Sequence, residues 1–457
     1  MAASFDVIVI GAGPAGEVAA GRIAKRSKLG VALIERELVG GECSFYACMP
    51  SKALLRPREL LREIERVPGV AEQAGQEGID VELALRRRDE VIHGLSDESQ
   101  MSWLDERGIT LLRGQARLSG ERRVLLDGET YEARRAVILA TGSSAALPPI
   151  PGLAESRPWT NREATTAQRP PKRLIVLGGG PVGCEMAQAW RSLGSEVVLV
   201  EAQPRLLPGE EPFAGQELAE ALIADGVDVR LETKATAVSR ESDGIHVSFD
   251  RTAEAVADEL LVAVGRSPHT EDLGLESIGL TPGKTIEVEQ TLRVPGHPWL
   301  YAVGDVNGRV LLTHVGKYQA RIAADNVIGD GSLSIQVDGR RSPRVTFTEP
   351  QVAAVGHTLA AAEQEGIAAR AVDLKTAGTA GASFHGRNAP GTTRFVVDTE
   401  HQRLVGATFV GAETAELLHA ATIAIVAEVS LSTLAQAIPA FPTRSELWLQ
   451  LTEAVGL

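Results

Sequence analysis

One structural unit occurs twice in this chain, and it restricts the possible folds more than any other feature. Asp6 to Glu35 read as an apolar strand, the run Gly11-Ala12-Gly13-Pro14-Ala15-Gly16, a helix of alanine and valine, the strand Val31-Ala32-Leu33-Ile34, and then Glu35. Arg173 to Glu201 repeat the pattern as strand Leu174 to Leu177, Gly178-Gly179-Gly180-Pro181-Val182-Gly183, a helix, strand Val197 to Val200, and Glu201. A lone G-x-G-x-x-G says little, but strand, glycines, helix, strand and a late acid together make the complete dinucleotide-binding unit. The first glycine makes a tight turn, the second lets backbone approach a pyrophosphate, and the third lets helix and strand pack closely. The helix N-terminus then meets the phosphates with free N–H groups and its dipole.

Two copies predict an α/β chain with two Rossmann-like domains and two bound dinucleotides, at Gly11, Gly13, Gly16 and Glu35 and at Gly178, Gly180, Gly183 and Glu201. Each glutamate would accept from ribose hydroxyls. A 2′-phosphate would be repelled at Glu201, so the second site is expected to take NADH. Arg205, four residues on, keeps NADPH as the minor alternative.

A chain of 457 residues exceeds one compact core, so about three domains are expected. The net charge of -14 leaves no basic stripe for phosphates and argues against a nucleic-acid partner. No run approaches eighteen uncharged apolar residues, since the most apolar helical stretch, Ala415 to Ile438, carries Glu416, His419 and Glu428. The N-terminus runs straight into a strand without a basic leader, so a cytoplasmic location is expected.

Only three cysteines occur. Cys43 and Cys48 are separated by four residues in Gly40-Gly41-Glu42-Cys43-Ser44-Phe45-Tyr46-Ala47-Cys48-Met49-Pro50-Ser51-Lys52. In a reducing compartment such a pair reads as catalytic or metal-binding, with two unbonded thiols as the plainer alternative. No second pair or clustered histidines complete a ligand set, so no metal site is expected. Pro50 suits the first turn of a helix, which puts Cys48 near a helix end, where a thiolate is favoured. Cys184, inside the second glycine-motif helix, reads as a small core residue. Further strands end in Ala140-Thr141-Gly142, Ala263-Val264-Gly265 and Ala302-Val303-Gly304-Asp305, turns where backbone can meet a cofactor.

On these motifs the chain resembles, end to end, the FAD-dependent pyridine nucleotide-disulfide oxidoreductases of the lipoamide dehydrogenase, glutathione reductase and mercuric reductase group. The resemblance implies an FAD-binding domain over residues 1–150, an NAD(P)-binding domain over 151–268, a central region completing the FAD site over 269–336, and a dimerisation domain over 337–457. It also implies a homodimer whose active sites use both subunits. Cys43 and Cys48 would then form the redox-active disulfide, Cys48 facing the flavin and Cys43 serving as the outer interchange thiol. Lys52 would sit beside the flavin N5 with Glu185 as its ion partner, and Asp305 would bind the ribityl chain. Thr141, Gly142, Gly265 and Gly304 would line the cofactor turns. His314, in Leu311-Leu312-Thr313-His314-Val315, would lie at a helix start pointing at the flavin pyrimidine, where the dipole favours an anionic reduced ring.

The departure comes near the C-terminus. Lipoamide dehydrogenase and glutathione reductase carry His-Pro there, followed by a glutamate that orients the histidine, whereas this chain reads Ala440-Phe441-Pro442-Thr443-Arg444-Ser445-Glu446. Glu446 matches the glutamate, but Phe441 cannot carry a proton. A positioned acid/base contributes roughly 10² to 10⁴ in rate. His314 and His385 are the histidines that could substitute, each with an ordinary packing or surface role as the plainer reading.

Mercuric reductases also lack that histidine, but they end in a cysteine pair, and Thr452 to Leu457 contain none, so mercury is not the expected substrate. Three functions stay open. The first is transfer of electrons from NADH through FAD to a non-thiol acceptor such as a quinone, a metal ion or a redox protein. The second is disulfide or dithiol chemistry with an atypical substrate or proton carrier. The third is a non-catalytic, FAD-bound redox sensor.

Overall fold

The computed structural model describes residues 3–74 and 78–457. The chain divides into two compact units, each assembled from three stretches of sequence. The first takes the N-terminal segment through Pro50, Asp89–Ala146 and Gly265–Gly339, and the second takes Ser51–Arg88, Leu147–Val264 and Arg340–Leu457.

The first unit is built on an eight-stranded sheet among the described residues. Ala3–Ile10 lies at its centre, parallel to Val31–Glu35 on one side and to Glu129–Leu139 on the other. Thr110–Arg113 extends one edge, and His297–Ala302 with Arg293–Val294 extends the other. Val7 to Ile10 form an unbroken buried apolar run, as a parallel strand covered on both faces requires. Helix Pro14–Arg26 packs along helix Thr313–Ile328 through small residues. A Cβ placed on Gly316 would lie 3.3 Å from the Cα of Gly304 and 3.6 Å from the Cβ of Ala15. Further along the same seam, Arg22 and Arg26 reach Asp325 at 2.6 and 2.7 Å.

The second unit contains the second glycine motif on a four-stranded parallel sheet in the order Asp228–Arg230, Glu196–Val200, Arg173–Leu177, Glu259–Val262. A three-stranded antiparallel sheet, Ala235–Glu241, Gly244–Phe249 and Ala255–Ala257, accompanies it. The C-terminal stretch forms a five-stranded antiparallel sheet in the order Arg344–Thr346, Gln351–Gly356, Arg403–Gly411, Thr392–Asp398, Ala369–Lys375. Its core holds Phe395 edge-on to Phe409, ring centroids 5.6 Å apart, with Trp448 5.2 Å from Phe395.

The apolar stretch Ala415 to Ile438 is not one helix. Helix Leu418–Val426 stops before Glu428, which takes a left-handed φ of 51°, and a new turn, Leu431–Leu434, starts with Ser430 as its cap. The serine hydroxyl accepts the Thr433 N–H, a local alternative that ends a helix despite its apolar composition. No helix among the described residues is long and apolar enough to cross a membrane.

Candidate active site

The two glycine motifs adopt the same local geometry. Pro14 and Pro181 occupy the first helical turn, where a missing N–H is harmless, and the capping Gly13 and Gly180 are extended with φ of -69° and -77°. The first glycines, Gly11 and Gly178, have φ of 97° and 109°, which a side chain rarely tolerates. A Cβ on Gly11 would sit 2.4 Å from the Ala140 carbonyl oxygen, and one on Gly178 2.4 Å from that of Ala263. A Cβ on Gly16 or Gly183 would lie 1.8 Å from the carbonyl oxygen of the first glycine of its own motif. At Gly13 and Gly180, in contrast, it would meet nothing within 4 Å. The first and third glycines are therefore closed by protein, and the second alone opens to solvent at a helix N-terminus. That is the shape of a pyrophosphate cradle, so the chain's residues fit a dinucleotide at both sites.

The late acids hold these loops. Glu35 accepts the Ala12 N–H at 2.7 Å and the Glu37 N–H at 2.8 Å. Glu201 accepts the Gly179 N–H at 2.6 Å and the Gln203 N–H at 2.7 Å. Arg205 turns its guanidinium to the Pro208 carbonyl at 2.9 Å.

The first unit gathers Gly11, Gly13, Gly16, Glu35, Cys43, Cys48, Thr141, Gly142, Gly265, Gly304, Asp305 and His314. Gly40 and Gly41, both left-handed, fold the cysteine segment onto the glycine loop. Gly40 donates to the Ala12 carbonyl at 2.8 Å, and a Cβ on Gly41 would strike the Cα of Gly13 at 2.8 Å. Cys43 then falls in the short helix Gly41–Phe45, and Cys48 begins helix Cys48–Arg66. Both carry free thiols and share a hydrogen bond, and the Thr313 hydroxyl lies 3.4 Å from the Cys48 Sγ. The bond to Cys48, together with burial, pushes the Cys43 thiol well above its usual range, against the opposing pull of Thr313 and Lys317.

Asp305 accepts from the Ser143 hydroxyl at 2.6 Å, and Arg266 donates to the same hydroxyl at 2.6 Å and to the Ser143 carbonyl at 2.6 Å. Thr141 and His269 exchange backbone and side-chain hydrogen bonds, with His269 Nδ1 2.9 Å from the Thr141 carbonyl oxygen. His314 is exposed at the start of its helix. Ser143, Arg266 and Thr313 were not legible as site residues. The only signals were a Gly-Arg pair after a strand and a threonine beside His314.

The second unit gathers Lys52, Glu185, Gly178, Gly180, Gly183, Glu201 and Glu446. The Lys52 ammonium reaches both oxygens of the buried Glu185 at 2.8 and 3.0 Å. Glu185 also accepts the Phe347 N–H at 2.9 Å, and the Phe347 ring lies 4.7 Å from the ammonium in cation–π contact. Cys184 is fully buried in the core, donating to the Gly179 carbonyl. Glu446 accepts the Thr443 N–H at 2.9 Å and the Gly381 N–H at 3.2 Å. Phe441 is 79% exposed, as are Phe384 at 70% and Ile438 at 88%. Among the described residues, His385 pairs only with Glu63, at 3.9 Å.

Two dinucleotide cradles, one of them carrying a dithiol, define a nucleotide-dependent redox enzyme. The family model described as pyridine nucleotide-disulphide oxidoreductase matches residues 5–320, and that family's dimerisation domain matches residues 342–452. A dihydrolipoyl dehydrogenase of Thermus scotoductus is 35% identical, over 99% of this chain and 97% of the relative. A mercuric reductase of Lysinibacillus sphaericus is 30% identical, over 97% of this chain and 81% of the relative. The copper(II) complex of the HOCl-induced flavoprotein disulfide reductase RclA from Escherichia coli superposes with a TM-score of 0.87 at 25% identity, covering 99% of each chain. The chain belongs to the pyridine nucleotide-disulphide oxidoreductases, an FAD-dependent family.

Proposed function

We propose that this enzyme, with Cys43 and Cys48 as its redox-active pair, takes hydride from NADH and passes electrons through FAD to an acceptor that needs no thiol-protonating histidine. Candidate acceptors are a quinone, a soft metal ion such as copper(II), or a redox protein. One observation carries the reading. Phe441 replaces the proton carrier, and the carboxylate that would orient it is engaged by the backbone N–H groups of Thr443 and Gly381. The upward shift of the Cys43 thiol acts in the same direction, because only the thiolate is a nucleophile.

FAD, when bound, supplies two-electron hydride acceptance and onward electron transfer. In this reading residues 1–150 and 269–336 hold it, with pyrophosphate at Gly13 and the ribityl chain at Asp305. Residues 151–268 hold NADH at Gly180. The buried Glu201 carboxylate disfavours a 2′-phosphate, and Arg205 is turned to a carbonyl. Lys52, held by Glu185 and the Phe347 ring, is the residue this reading assigns to the flavin N5. Residues 337–457 pair two copies into a homodimer in the cytoplasm, burying the exposed Phe384, Ile438 and Phe441.

The second reading is a dihydrolipoyl dehydrogenase with an unusual proton carrier, favoured by 35% identity to a relative of that name along nearly the whole chain. Steady-state NADH oxidation by the purified yellow protein, with lipoamide and a simple quinone side by side, separates them. A quinone rate at least a hundredfold above the lipoamide rate supports the first reading. Equal or faster lipoamide turnover overturns it.

A further inference from the structure

We propose that Phe347 is a positioning residue for Lys52, holding the ammonium in place with the face of its aromatic ring. This rests on the reading that assigns Lys52 to the flavin N5.

Lys52 lies in the second turn of helix Cys48–Arg66 and reaches Glu185, on helix Pro181–Ser192, at 2.8 and 3.0 Å. Glu185 is buried, but the lysine side chain is 36% exposed. One ion pair therefore leaves a long flexible stem room to swing toward water. The Phe347 ring limits that freedom. Its centroid is 4.7 Å from the ammonium, within the range over which the negative face of an aromatic ring attracts a cation.

The ring is placed by backbone hydrogen bonds. Phe347 directly follows strand Arg344–Thr346, and the chain from Phe347 to Glu349 runs along helix Pro181–Ser192, pinned to it at two points. The Phe347 N–H donates to Glu185 at 2.9 Å. The Glu349 N–H donates to the Gln188 side-chain oxygen at 2.7 Å, and the Gln188 amide donates back to the Glu349 carbonyl at 2.9 Å. Gln188 thus pairs with Glu349 as a neighbouring strand would. Glu185 and Gln188 stand three residues apart on one helical face, and both are buried, where leaving such a partner unsatisfied is costly. The carboxylate that holds Lys52 therefore also fixes the backbone of the residue whose ring covers Lys52.

Two measurements on the holoenzyme test this. Acetylation of Lys52 by acetic anhydride, located by mass spectrometry, should be about three- to tenfold faster in Phe347→Leu than in wild type. Lys52→Met should lower the flavin midpoint potential, because a cation beside the ring favours the electron-rich reduced form. Phe347→Leu should lower it by part of that amount, about three- to tenfold in the ratio of reduced to oxidised flavin, or roughly 14 to 30 mV. Phe347→Tyr should match wild type in both measurements, and the double variant should match Lys52→Met alone. An unchanged potential in Lys52→Met overturns the placement of Lys52 beside the flavin, and the inference with it. A lowered potential in Lys52→Met overturns the inference alone if Phe347→Leu keeps wild-type labelling or potential, or if the double variant shows the sum of both shifts. If Phe347→Leu does not fold, Phe347→Met, with flavin absorbance as a folding check, takes its place.

Discussion

Gly13 and Gly16 stand three residues apart in one motif, yet the structure assigns them different physical tasks. Alanine at Gly16 drives a methyl into the Gly11 carbonyl oxygen, 1.8 Å away, and should destabilise the fold by about 3 kcal/mol. Alanine at Gly13 meets no protein atom within 4 Å and keeps a permitted φ, so stability should change by less than about 0.5 kcal/mol. Its methyl instead occupies the space reserved for pyrophosphate, and FAD retention should fall. Thermal unfolding of the apoprotein against flavin titration reads the two effects separately, and equal melting temperatures for both variants would contradict this assignment. At Phe441 the expected change is chemical. Phe441→His should raise lipoamide turnover by up to about 10²-fold if only the base is missing. No gain would mean that the pocket itself excludes the substrate. Cys43→Ser should abolish any disulfide reduction, while direct quinone reduction largely survives it.

At the scale of elements, the hairpin formed by Ala235–Glu241 and Gly244–Phe249 carries a testable electrostatic feature. His246 places one ring nitrogen 3.0 Å from Asp243 and the other 3.0 Å from Glu254, and these carboxylates raise its pKa to about 9. The folded value lies above the unfolded value of about 6.5, so the protonated form is favoured by folding. The contribution is complete below pH 6.5 and is lost as pH rises through about 9. Replacing His246 with glutamine should therefore lower the melting temperature at pH 6 and have no effect near pH 10. A difference that persists at high pH would point to packing instead. The same hairpin shows how local chemistry becomes visible only when strands pair, since Glu254 joins His246 from eight residues away.

For the whole molecule, two units, each threaded from three stretches, share one construction rule: a parallel sheet with a glycine turn at the end of its first strand. The C-terminal sheet follows a different rule and leaves Phe384, Ile438 and Phe441 in solvent. Such exposure of large apolar side chains in a dimerisation domain is expected to be covered by a second copy. Ile438→Asp should shift the protein from dimer to monomer in sedimentation, and an unchanged dimer would place the interface elsewhere.

Much of the cofactor site could be read directly, because its chemistry is local. The spacing of Gly11, Gly13 and Gly16, the repeat at Gly178, the late acids Glu35 and Glu201, and the cysteine pair all lie within short windows where helix and strand periodicity fixes their geometry. The Phe441-Pro442 pair, where the resemblance expects His-Pro, is equally visible in the sequence. What only tertiary structure decided were the partnerships across long sequence separations. Thr313 meets Cys48 over 265 residues, Ser143 meets Asp305 over 162, and Phe347 joins Lys52 and Glu185 from the far end of the chain. No periodicity encodes such meetings, because they follow from how sheets and helices pack. The contacts of Thr313 and Arg266 therefore emerged only once the chain was folded.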